Sequence, residues 1–254
     1  MINQSTWARY GATSLFVLLW GSGAIVSRLA LNHGSPFAIL ALRFALAFSM
    51  LALFATAQRR ALLPPTGARA SVAVTGALLV GGYTICYFLA LDNGITPGAI
   101  ATILGVQPLL TLLIVERRFS HARIVGLLLA FVGLALVVLR SSADATLPLA
   151  GTLFALGALA SVTAGAILQK RIAHAPQSVL PLQYAIAFVL CSLCLPFKQI
   201  HLEWRAELIF AVLWLALVIS VIAQLLLYRL IHASNLVNVT SLFYLVPVVT
   251  AVMD

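Results

Sequence analysis

The chain has 254 residues, of which 63% are hydrophobic and only 8% are charged, and its formal net charge is +9. This composition excludes a water-soluble globular domain, whose surface needs far more charge. It predicts an all-α integral membrane protein, in which the excess of Lys and Arg serves membrane orientation rather than nucleic-acid binding.

Apolar runs long enough to cross a bilayer recur along the whole chain, with short polar connections between them. They predict nine spans, at residues 11–31, 36–56, 70–91, 97–115, 122–140, 149–172, 178–197, 207–231 and 235–254. Basic residues gather mainly on one side of this arrangement: Arg9, Arg59, Arg60, Arg69, Arg117, Arg118, Arg123, Lys170, Arg171 and Arg229. Only Arg28, Arg140, Lys198 and Arg205 fall on the other side. Because cytoplasmic loops are enriched in basic residues, we expect a cytoplasmic N-terminus.

Two stretches, 83–108 and 224–247, match as copies of one helical hairpin when shifted by 141 residues before the turn and 139 after it. The aligned pairs are Tyr83 with Gln224, Tyr87 with Tyr228, Thr102 with Ser241, Gly105 with Tyr244 and Pro108 with Pro247. In each copy the polar or aromatic residues share one helix face. A polar stripe on an apolar helix is typical of a helix that borders a cavity.

The repeat extends further, because a shift of 140 aligns residues 24–48 with 164–188 and places Pro36 on Pro176. The repeat unit holds five spans, so its second copy has the opposite orientation in the membrane, as in many secondary transporters. We expect a first repeat at 1–140 and a truncated second repeat at 149–254. Two such units need ten spans, so a tenth helix is expected to be missing from this sequence.

Several local patterns point to one known family. They are the run Leu18-Leu19-Trp20-Gly21-Ser22-Gly23, Ser35-Pro36 followed by Arg43, Pro108 followed by Glu116, and the pair Gly126 and Gly133. In their order, and with the repeat, they resemble the drug/metabolite transporter superfamily in its ten-helix branch of two EamA-type repeats. Within it the chain is most similar to the YddG-type exporters of aromatic amino acids.

The resemblance implies a basket of helices around a central cavity in the bacterial inner membrane. It implies export of a small-molecule substrate, an amino acid or similar metabolite, without a cofactor. The partners expected are that substrate and membrane lipid, not nucleic acid. The oligomeric state stays open, and a monomer is compatible with the sequence.

Arg43 is the residue most suggestive of function, because it lies about two turns inside an apolar span. A charge in that position costs roughly 3 kcal/mol or more unless it is paired or hydrated. Either it meets a substrate carboxylate in a cavity, or it is a structural arginine that binds helix-end carbonyls or extends its charged group outward to the membrane surface. None of the six acidic residues lies in the middle of a span as its partner. In the second repeat Gln183 stands at the equivalent position.

The remaining candidates come from the hairpins and from the first span. Tyrosine offers a ring for stacking and a hydroxyl for hydrogen bonding, although packing between helices is the alternative role for each. The predicted substrate-binding residues are Trp20, Arg43, Tyr83, Tyr87, Thr102, Gln107, Gln224, Tyr228, Asn238, Ser241 and Tyr244. Pro108 and Pro247 are the predicted hinges, since proline removes a backbone donor and bends a helix.

Other functions fit the sequence less well. No phosphate-binding loop or metal-ligand spacing is present, so neither ATP nor a metal site is predicted. We therefore predict a secondary transporter that exports amino acids, aromatic or bulky and apolar, by alternating access. A multidrug or other metabolite exporter of the same fold is the alternative. An intramembrane lipid-modifying enzyme is a remote one, because clustered acids or histidines are lacking.

Overall fold

A computed structural model describes residues 4–116, 121–141 and 148–246, and the regular elements in these ranges are helices. In chain order they are α1 (Gln4–Leu31), α2 (Pro36–Ala57), α3 (Thr66–Asp92), α4 (Pro97–Val115), α5 (His121–Ser141), α6 (Leu149–Arg171), α7 (Pro176–Phe197), α8 (Ala206–Ala233) and α9 (Leu236–Ser241). A 3₁₀ turn at Leu242–Tyr244 continues α9.

Seven of these helices are long and apolar enough to cross a membrane, namely α1 from Thr13 onward, α2, α3, α4, α6, α7 and α8. They confirm an integral membrane protein with an all-helical fold. The predicted fifth span coincides with α5, whose described apolar part is the shorter stretch Ile124–Gly133. The predicted ninth span begins with α9, and its remainder, including Pro247, lies outside the described residues.

Proline marks the start of three membrane helices. Pro36, Pro97 and Pro176 stand in the first turn of α2, α4 and α7, where the missing N–H would have had no helical partner. Thr96 before α4 is extended, and its Oγ1 accepts a hydrogen bond of 3.2 Å from the backbone N–H of Ala99. Each of these helices therefore begins at a well-defined residue directly after its loop.

Two long helices contain a π-helical segment, and a third helix is interrupted. The π segments are Ala77–Gly82 in α3 and Trp214–Ala223 in α8. Helix α4 loosens between Leu104 and Gln107, directly before Pro108, which occupies the first turn of the next helical segment. The helix is thus disturbed near Pro108, but the disturbance lies N-terminal to the proline.

Alternating helix directions give the molecule two ends. The Asp92 end carries the connections 32–35, 93–96 and 198–205, and the Lys170 end carries 58–65, 172–175 and 234–235. In the core, α2 packs along α7, α3 along α6, α1 along α8, and α4 against α9. Each pair joins one helix from either side of the connection 142–148.

At the Asp92 end, connections 32–35 and 198–205 pair through their backbones. The N–H of Ser35 donates to the carbonyl of His201 over 2.9 Å, and the N–H of Glu203 donates to that of His33 over 2.8 Å. Hydrogen bonds from His201 and then His33 hold the pKa of Glu203 below its ordinary value. Lys198 makes an ion pair with Asp92.

Candidate functional site

A cavity of about 710 Å³ lies among the helices, between the middle of the molecule and the Asp92 end. Its lining includes the exposed Arg28 and Asn32 near that end. At its deep limit lie the buried side chains of Gln107, Tyr184 and Gln224. A volume of this size lies within the usual range of small-molecule sites, roughly 300–1,000 Å³.

Arg43 places a positive charge on the wall of this cavity. The residue is only 8% exposed, and its Nε donates to the hydroxyl of Ser220 on α8 over 2.8 Å. Within the described part of the chain, this is the guanidinium's only hydrogen bond, and its ionisable neighbours are Tyr184, Tyr83 and Tyr87 rather than a carboxylate. The two terminal nitrogens therefore keep donors available for a ligand.

Aromatic rings form the other main feature of the wall. Tyr83 and Tyr87 lie one turn apart on α3, with ring centroids 5.9 Å apart and planes tilted by 52°. Across from them, Trp20 contacts Phe243 edge-on with centroids 5.5 Å apart. Such faces bind flat apolar groups and also attract a cation.

Two amides reach the deep end of the cavity. Gln107 is 2% exposed, and within the described residues its side chain makes no hydrogen bond. Gln224 interacts with the hydroxyl of Tyr228 behind the wall. Beside them, the carbonyl of Leu104 loses its usual helical partner, because Pro108 has no N–H to donate. The site therefore offers acceptors as well as donors.

Comparison with known proteins identifies the family. The sequence profile of the EamA-like transporter family matches residues 10–139, which is more than half of the chain. The chain belongs to the EamA-like transporter family. This family lies within the drug/metabolite transporter superfamily and consists of transporters, not enzymes. Its membership implies a secondary transporter with a small-molecule substrate.

Known structures support the fold of this EamA-type transporter. A solved structure, described only as the crystal structure of a protein, matches with a TM-score of 0.78 and 20% sequence identity. The match covers 96% of this chain and 88% of the other. At that identity it supports the fold alone. None of the curated proteins compared with the sequence matches it.

The EamA-type fold brings six of the predicted site residues to the cavity: Trp20, Arg43, Tyr83, Tyr87, Gln107 and Gln224. Tyr228 is excluded from it because the residue is fully buried and its hydroxyl donates to Gln183 over 2.6 Å. Thr102 is also outside the lining, and its hydroxyl donates to the carbonyl of Gly98 over 3.1 Å.

Three predicted residues from α9 and its continuation face away from the cavity. Asn238 is exposed, and Ser241 donates its hydroxyl proton to the carbonyl of Asn238 over 3.0 Å. Tyr244 packs with Leu112 and Leu127. The wall instead takes Phe243 and Val246 from the segment that follows α9, and none of the residues 236–241 is in the lining.

Sequence reasoning missed several polar residues of the wall. They are Ser27, Thr84 and Tyr184, which all border the cavity. Tyr184 directly follows Gln183, which the repeat aligns with Arg43. Its place beside that position could have marked it as a candidate. No comparable signal marked Ser27 or Thr84. In the described chain no group of three or more His, Cys, Asp or Glu residues could hold a metal ion.

Proposed function

We propose that this transporter exports amino acids with aromatic or bulky apolar side chains, by alternating access between two inverted repeats. The observation that carries the proposal is the pairing of Arg43 with aromatic walls in one cavity. A buried guanidinium with free donors suits a carboxylate, because two parallel N–H···O bonds fit its geometry. The rings of Tyr83, Tyr87 and Trp20 suit the apolar side chain.

The cavity also offers groups for the ammonium of an amino acid. The Leu104 carbonyl and the Gln107 amide oxygen are acceptors at the deep end. Tyrosine faces add a cation–π contribution. No carboxylate borders the cavity among the described residues, so a lone cation would meet Arg43 without compensation. A zwitterion therefore fits better than a cationic drug.

Two structural observations support the inverted repeats. The π segments of α3 and α8 end at Gly82 and Ala223, directly before Tyr83 and Gln224, which the repeat aligns. Helix packing is also reciprocal, because α1 against α8 corresponds to α6 against α3 after the repeats are exchanged. Both observations fit two five-helix repeats that rock about the axis where α2 meets α7 and α4 meets α9.

We propose that the protein lies in the inner membrane with its N-terminus and the Lys170 end in the cytoplasm. The excess of basic residues at that end supports this orientation. At the opposite end, Lys198 and Arg205 are paired with Asp92 and Glu203, which reduces the positive charge there. In this orientation the cavity opens toward the periplasm.

Transport by the reconstituted protein tests the proposal. Proteoliposomes should take up radiolabelled phenylalanine, tryptophan and methionine with saturable kinetics. Arg43→Gln should weaken the apparent affinity at least tenfold, since a charge-assisted bond contributes about 1.5–3 kcal/mol. Arg171→Gln, which removes an exposed arginine outside the cavity, is the matched control. No saturable flux of any of the three would reject the substrate class, and better transport of cationic drugs would favour a multidrug exporter.

A further inference from the structure

A buried polar cluster lies on the Lys170 side of the cavity, behind the lining residue Gln224, which contacts its Tyr228. The hydroxyl of Tyr228 donates to Gln183 Oε1 over 2.6 Å, and Gln183 Nε2 donates to Gln169 Oε1 over 2.9 Å. All three side chains are fully buried. The Nε2 of Gln169 is left without a partner within the described residues. An unpaired buried amide is costly, so packing alone does not account for this cluster.

The cluster is the repeat counterpart of the open cavity wall. Shifting the sequence by 140 or 141 residues takes the wall residues Leu29, Arg43 and Tyr87 to Gln169, Gln183 and Tyr228. The same shift takes Gly23, also on the wall, to Thr163, whose hydroxyl is buried and has no partner in the described chain. One set therefore borders open space, while its equivalent in the other repeat is closed on itself.

Close contacts between helix backbones keep the cluster of Gln169, Gln183 and Tyr228 closed. A Cβ on Gly76 of α3 would lie 2.6 Å from Gln183 Cα, and a Cβ on Gly165 of α6 would lie 2.6 Å from Leu79 Cβ. Glycine therefore lets α3 approach both α6 and α7 with no side chain between them. Beyond this crossing, Lys170 Nζ donates to the carbonyls of Ile231 and Ser234 over 2.5 and 2.8 Å, which ties α6 to the end of α8.

We infer that the Gln169–Gln183–Tyr228 cluster is the closed gate of the route to the Lys170 end. In the opposite access state these side chains separate and line a second vestibule, which their polar groups hydrate. The inference rests on the proposed alternating access but does not depend on which solute is carried. It assigns the gate to neutral amides, which can close on one another without burying a charge.

Thiol labelling tests the gate without knowledge of the substrate. Single-cysteine variants are made in a background whose three native cysteines are replaced by alanine. Thr163→Cys reports on the gate, Ser27→Cys reports on the open cavity, and Ala158→Cys is a buried control on the same helix as Thr163. A membrane-impermeant methanethiosulfonate is added to either face of oriented vesicles. We expect the Thr163→Cys variant to react only from the Lys170 face, the Ser27→Cys variant only from the Asp92 face, and the Ala158→Cys variant from neither.

A variant of the cluster then distinguishes specific opening of the gate from a general destabilisation of the helix packing. Tyr228→Phe removes one hydrogen bond of the cluster and should raise the labelling rate of the Thr163→Cys variant about fivefold, the effect of losing about 1 kcal/mol. The matched control Tyr244→Phe removes a buried hydroxyl bond to Leu127 and should leave that rate unchanged.

The inference is overturned if the Thr163→Cys variant stays as inert as the Ala158→Cys variant in an active carrier, or if it reacts from the same face as the Ser27→Cys variant. It is also overturned if Tyr228→Phe raises labelling at positions 163 and 158 alike. If labelling alternates but no amino acid is carried, the proposed substrate fails while the gate stands.

Discussion

Replacing Gly165 by alanine should destabilise the protein in this access state, because α6 and α3 touch there through backbone atoms. The new Cβ would meet Leu79 at 2.6 Å from Cβ and 2.7 Å from Cα and N. These atoms belong to the backbone or lie next to it, so no rotamer change relieves the clash. Overpacking of this kind costs about 1–3 kcal/mol. The better helix propensity of alanine offsets up to about 1 kcal/mol.

Thermal unfolding in detergent measures the net effect. For a chain of this length, about 1 kcal/mol corresponds to roughly 2–4 °C in Tm. We expect Gly165→Ala to lower Tm by several degrees. Gly126→Ala is the matched control, since a Cβ on that glycine of α5 meets nothing within 4 Å, and its Tm should stay level or rise. Equal Tm values for the two variants would refute the close approach of α3 and α6.

Two further predictions concern Arg43 and the Asp92 end. Ser220→Ala removes the hydroxyl that fixes the Arg43 guanidinium and should weaken substrate affinity by about tenfold, as measured by uptake; an unchanged affinity would show that the bond does not orient Arg43. Glu203 has a lowered pKa, so the stability from its contacts with His201 and His33 is complete above the ordinary pKa of 4.5 and is lost as the pH falls through the lowered pKa. Tm should therefore decline more steeply below pH 4.5 in the wild type than in Glu203→Gln, and parallel curves would contradict this role.

The membrane helices were predictable from sequence because crossing a bilayer demands about 20 apolar residues, a signal that local packing cannot alter. The burial of Arg43 beside polar groups was predictable for a related reason. A charge inside an apolar span is costly, so its side chain must reach a cavity or a polar partner. Arg43 has both, with Ser220 as the partner and the cavity in front.

The residues that α9 and its continuation present to the cavity could not be derived from the sequence in the same way. The polar face with Asn238 was expected to border the cavity, whereas Phe243 borders it. Polarity alone does not choose the face here, since Tyr244 buries its ring between α4 and α5 and satisfies its hydroxyl at Leu127. The π segments were also invisible to helical periodicity, because each alters the face that later residues present.

The repeat alignment pairs Tyr87 with Tyr228 and led to the prediction that both border one cavity. The structure puts Tyr87 on the wall and buries Tyr228 completely. The repeat in the sequence identifies equivalent positions, but in a single conformation two equivalent residues can differ in how much of each is exposed. In the proposed gate, the close approach of α3 to α7 at Gly76 and to α6 at Gly165 keeps the second copy closed, and no residue pattern in the sequence predicts that packing.

The exchange of Arg43 for Gln183 between repeats has a consequence for the proposed cycle. The gate at Gln183 closes over neutral amides. Arg43 is already only 8% exposed, and closing the cavity would remove the open space that its terminal nitrogens face, which leaves the charge without a carboxylate partner in the described chain. A charge that is neither paired nor hydrated inside the membrane costs roughly 3 kcal/mol or more, and a bound substrate carboxylate offsets that cost. The loaded carrier should therefore change access state faster than the empty one, so exchange across the membrane should exceed net flux. Arg43→Gln should bring the two rates closer together even as affinity falls. Equal exchange and net flux in the wild type would show that this charge does not control the return step.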